Sequence, residues 1–196
     1  MPAFKTQIRI LTAASVVLLM GMTLTSCAED EPNTLSVKKI SDREGRDRVV
    51  ELVFNTAEQL DVTGWWPRNG AAWAQECTPE SSHGRGDATA SYSYDRWAPQ
   101  GTDHIGDAKR VAGYWESLGM TVSTINPTKD PAVFAEGGPV LRAEFDTDAP
   151  EQSYSIGATA PCSPGDAFTL NEEDSAQRDQ GKVLPGDEGL VLEPPQ

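Results

Sequence analysis

Read from its apolar positions, the chain opens with one long uncharged stretch and then settles into short amphipathic segments. Lys5 and Arg9 precede an apolar run of 15 residues from Ile10 to Leu24, and the next charge is Glu29. Ser41-Asp42-Arg43-Glu44 supplies the serine and glutamate of a capping box. Val49, Leu52, Val53, Thr56, Ala57 and Leu60 follow at helical spacing, predicting a first helix that ends by Gly64. Ala88 to Tyr94 alternates apolar and polar side chains, the period of a half-buried strand. Thr102 offers a cap for a second helix with the stripe Ile105, Ala108, Val111, Ala112, Trp115 and Leu118. Gly119 then sits where a left-handed C-terminal cap belongs. Met120 to Ile125 is rich in β-branched residues and predicts a strand. Val140–Phe145 and Ser153–Ala160 alternate on either side of a short polar link, which predicts an antiparallel hairpin.

This order of helix, strand, helix and three strands predicts an α+β fold. Its expected form is an antiparallel sheet of about four strands with two helices packed on one face. Residues 79–87 read as a Gly- and Ser-rich loop and 126–138 as a Pro-Gly punctuated connection. From Asn171 onward seven acids stand against two bases with little apolar pattern, predicting a disordered acidic tail over 171–196. The α+β domain is therefore placed at 41–170, behind a leader at 1–26 and a polar tether at 27–40.

A basic start, an apolar middle and small residues before a cysteine make residues 1–26 a secretory signal. Its 15-residue run is short for a spanning helix, which needs about 20. Leu24-Thr25-Ser26-Cys27 resembles the lipobox of bacterial lipoproteins. The resemblance implies that Cys27 receives a diacylglyceryl group and that a dedicated peptidase cuts before it. The mature chain would then be held on the outer face of the cell membrane, stably, because two acyl chains anchor where one binds only reversibly. An ordinary cleaved signal and an uncleaved signal anchor are the competing readings.

Charge narrows the partners. The net charge of −14 becomes about −16 once the leader and its two cations are removed. Nucleic-acid binding needs a basic footprint, so nucleic acid is excluded as a partner. With Cys27 acylated, Cys77 and Cys162 remain. Outside the cytoplasm such a pair forms a disulfide; a metal pair or a reactive thiol is the alternative, and no CxxC spacing supports either.

Catalytic patterns are absent from the sequence. No Gly-x-Ser-x-Gly elbow, Walker loop, dinucleotide glycine pattern or calcium loop occurs, and no cofactor is called for. His83 in the Gly/Ser loop and His104 in the first turn of the second helix read as exposed polar residues. The candidate ligand site is Trp65, Trp66 and Trp73. Exposed tryptophans stack on sugar rings or anchor a peptide, whereas buried ones would plug the end of the sheet beside Cys77.

The lipobox, an N-terminal helix, Cys77 before the strands, Trp115 ahead of Leu118-Gly119, and Cys162 closing the last strand together resemble the small secreted lipoproteins of actinobacteria, the LppA-like group. That resemblance implies an exported, membrane-anchored α+β domain with a Cys77–Cys162 bridge, and no particular activity. The expected function is a non-enzymatic binding or accessory module at the cell envelope, with an envelope protein or glycan as partner. The alternative is an envelope hydrolase or other enzyme whose site assembles only in the fold, marked by His83 or His104 beside a carboxylate in a pocket.

Overall fold

The computed structural model describes residues 40–77, 88–150 and 152–190. The leader, Cys27, the tether up to residue 39 and the loop containing His83 lie outside the described residues. Helix α1 (Asp42–Ala57) starts where the capping box places it, with the Ser41 Oγ accepting the Glu44 N–H at 3.1 Å. It ends well before Gly64, because the Gln59 and Leu60 N–H groups turn back to the Thr56 and Ala57 carbonyls. Such three-residue bonds tighten a helix end, and here the turn still buries Leu60. Gly45 weakens the first turn but lets it approach the sheet, since a Cβ there would lie 3.1 Å from the Ala160 Cβ.

Helix α2 (His104–Ser117) is capped by Asp103, one residue later than expected, through its Oδ1 and the Gly106 N–H at 3.0 Å. Gly119 takes the left-handed conformation the sequence assigns it, at φ +78°. Ala108, Val111 and Trp115 are buried, whereas Leu118, at the cap, turns out to solvent. The Trp115 indole N–H donates to the Thr56 Oγ1 at 2.9 Å and so ties α2 to α1.

The expectation of about four strands is corrected to seven among the described residues. They are β1 (Trp73–Glu76), β2 (Thr89–Pro99), β3 (Thr121–Ile125), β4 (Ala132–Glu136), β5 (Arg142–Ala149), β6 (Ser153–Thr159) and β7 (Ser163–Pro164). All pairings are antiparallel, in the spatial order β1-β2-β6-β5-β4-β3, with β7 beside β2. The chain crosses from β2 through α2 to the far edge and then returns strand by strand. The expected hairpin is β5 and β6, with Phe145 opposite Ile156 and a bulge between Asp146 and Ala149. Three strands escape the pattern for physical reasons: β1 buries only Ala74, β4 sits inside the stretch bounded by Pro131 and Gly137, and β7 is two residues long. Helices α1 and α2 share one core on one face of the sheet, built around Trp115, Tyr92, Tyr154, Phe145 and Ile156. Cys77 and Cys162 form a disulfide with Cα atoms 6.1 Å apart. It closes a loop of 85 positions, an entropic constraint of about 4–5 kcal/mol.

The disordered tail is likewise corrected. Helix α3 (Ala167–Asp179) occupies its first part, which makes three helices among the described residues. Its inward positions are Ala167, Leu170 and Asp174, and the last of these looks polar in any apolar count. The fully buried Asp174 carboxylate accepts from the Tyr92 hydroxyl at 2.8 Å and from the guanidinium groups of Arg43 and Arg46. The Asn171 side chain exchanges two hydrogen bonds, both 2.9 Å, with the backbone of Ala74 on the outer edge of β1. Beyond the helix, Leu184 is buried and the Glu188 carbonyl accepts from Arg96 at 2.9 Å.

Two expectations follow. Asp174→Ala takes the buried carboxylate from Tyr92, Arg43 and Arg46 at once and lowers the unfolding free energy by about 3–5 kcal/mol in urea titrations. Glu173→Ala, which removes only the exposed partner of Arg43, costs less than about 1 kcal/mol. The second concerns acid. The Thr169 N–H and hydroxyl hold the Asp166 carboxyl below its usual range. The folded chain thus keeps this charge to lower pH than the unfolded chain. The cap of α3 is at full strength above the ordinary aspartate range, about pH 4, and is lost as pH falls through the depressed value. Hydrogen exchange of the α3 amides is expected to accelerate below about pH 4 and not above it.

Candidate functional site

Residues directly opposite in an antiparallel sheet share a face, so the register defines what lies on the side away from α1 and α2. One row runs Glu136, Arg142, Thr159, Ser93 and Trp73; the next runs Phe134, Glu144, Gly157 and Asp95; a third runs Asp146, Ser155 and Trp97. No helix covers this face among the described residues. It holds an open groove of about 780 Å³, in the range of ligand sites.

Gly157 forms the bare floor of the groove. The nearest atoms a Cβ built there would meet belong to the Glu144 side chain, the first at 3.3 Å. Trp73, 53% exposed, stands on the β1 side and Phe134, 39% exposed, on the β4 side. Trp97 is half-buried and fixed in place, its indole N–H donating to the Asp95 Oδ2 at 2.6 Å. The Asn69 amide donates to both Asp95 oxygens at 3.0 Å, and the Arg68 guanidinium lies 4.2 Å from the centre of the Trp97 ring.

The three tryptophans picked from the sequence separate. Trp73 lines the groove. Trp66 bridges by backbone to Trp97 through two 2.8 Å hydrogen bonds and is 38% exposed. Trp65 instead packs on the core, its indole N–H donating to the Val62 carbonyl at 3.0 Å. Sequence reasoning missed Trp97 and Phe134. The apolar/polar alternation that runs to Tyr94 breaks at Asp95-Arg96, because Arg96 is buried and Trp97 faces out; the strand continues in burial, not in residue type, to Pro99.

His104 sits away from the groove. Its Nδ1 faces the Asp130 Oδ1 at 3.3 Å and its Nε2 faces the Gly101 carbonyl at 3.0 Å. Both ring nitrogens are thus engaged within the protein. Tyr154 packs edge-on against this ring and donates to the Asp107 Oδ2 at 2.7 Å. Burial, and then the bond to Asp107, push its phenol far above the usual tyrosine range, so it stays a neutral donor. Among the described residues no cluster of three or more His, Cys, Asp or Glu could hold a metal ion. No helix among them is long and apolar enough to cross a membrane.

No protein-family model matches the chain, and no curated protein matches it. Among solved structures it is similar to the crystal structure of a DUF4853 family protein from Actinomyces odontolyticus, at 14% identity and a TM-score of 0.46. That match covers 81% of this chain and 79% of the other.

Proposed function

We propose that this chain is a lipid-anchored extracytoplasmic protein that acts by binding, with the helix-free sheet face as its ligand surface. The observation that carries the binding reading is Trp73 and Phe134 standing exposed on opposite sides of a groove floored by Gly157. Water leaves such aromatic surface favourably when a ligand covers it. The anchor rests on the leader pattern and on Leu24-Thr25-Ser26-Cys27. The disulfide agrees with an oxidising compartment. At His104 the engagement of both nitrogens favours binding over the hydrolytic alternative, because neither is left to take a proton from a substrate; His83 lies outside the described residues.

Mass spectrometry of the native polypeptide tests the anchor. The expected amino terminus is a diacylglyceryl-modified Cys27, and Cys27→Ala moves the protein out of the membrane fraction. An intact leader, or an unmodified terminus at another residue, overturns the reading.

A further inference from the structure

We propose that the groove takes a basic polypeptide segment, seating Arg or Lys side chains against its indoles and between its carboxylates; this rests on the reading of the groove as the ligand surface. Charge is the first support. The groove carries Asp95, Glu136 and Glu144 against Arg142 and the Arg68 guanidinium over Trp97, one net negative charge inside a chain of net charge −14. Glu136 and Glu144 make no hydrogen bond or ion pair among the described residues, so both carboxylates are open to an incoming donor. An acidic cleft of this kind raises the local concentration of cations and disfavours anionic ligands.

The second support is the aromatic surface itself. Arg68 already lies over Trp97 at 4.2 Å, so the face of one indole in this wall accepts a guanidinium. Trp73, the most exposed tryptophan of the described chain, presents another indole to the groove with no cation over it among the described residues. The distance across is the third support. From β1, which carries Trp73, to β4, which carries Phe134, is four strand spacings, about 19 Å, wide enough for a polypeptide segment with its side chains. A basic segment satisfies all three features together, pairing charge with the glutamates and ring faces with the long cationic side chains.

The test titrates the full lipidated protein, in a neutral detergent, with hexa-arginine and separately with the uncharged glycan cellohexaose, read by tryptophan fluorescence and calorimetry. Hexa-arginine is expected to bind, more weakly as salt is raised. Glu136→Gln with Glu144→Gln is expected to weaken it by about tenfold or more, and Trp73→Ala to weaken it as well. The control pair Glu51→Gln and Glu116→Gln removes the same charge from exposed positions on α1 and α2, and is expected to change affinity by less than about twofold. Circular dichroism establishes that each variant is folded. Equal losses from the two glutamate pairs would mean diffuse attraction and would overturn the proposal. Trp73-dependent binding of cellohexaose without hexa-arginine binding leaves the groove as a ligand surface and removes the basic segment. Binding of neither probe removes both.

Discussion

The Asp174 carboxylate is the point on which the two ends of this fold close. A bare buried carboxylate costs several kcal/mol in lost hydration, so it persists only where every lone pair finds a donor. Two arginines from the first turns of α1 and the Tyr92 hydroxyl from the middle of β2 supply them. Burial, and then this bond to Asp174, push the Tyr92 phenol far above its usual range, so it remains a donor across the working range of pH. Once Asp174 is fixed, Asn171 one turn earlier reaches the outer edge of β1 and satisfies the backbone of Ala74. A sheet edge that would otherwise be open to another strand is covered by a side-chain amide.

With α1 and α2 sharing a single core on one side, the sheet has an apolar and a mixed face, the usual division of a one-sided antiparallel sheet. What departs from that division is the mixture. In place of an even polar coat, the open face gathers Trp73, Trp97 and Phe134 around the floor at Gly157, with carboxylates between them. The same alternation in β2 that sends Tyr92 and Tyr94 into the core sends Ser93, Asp95 and Trp97 to the groove.

The sequence was most legible where local chemistry and burial agree. Ser41 with Glu44, Trp115 ahead of Gly119, and the alternation of β5 and β6 each state both an element and its inner face. Legibility failed where burial is polar. Helix α3 turns Asn171 and Asp174 inward, and their partners lie about a hundred positions away, so a window along the chain registers only a hydrophilic tail. It failed again at β4, where flanking Pro131 and Gly137 mask a five-residue strand. Of the aromatic residues around the groove, only Trp73 could be picked out by composition; Trp97 stands on the face where the residue pattern expects polar side chains, and Phe134 required knowing the register.

The bridge between Cys77 and Cys162 also determines what proteolysis does to the molecule. All the strands from β2 to β6, and α2 with them, lie inside the covalent ring it closes. A single backbone scission anywhere in that ring, including the stretch from 78 to 87, yields two chains still joined through sulfur. The pieces have no separate diffusion, so a nicked molecule retains its groove residues on one covalent body and can re-close without a search through solution.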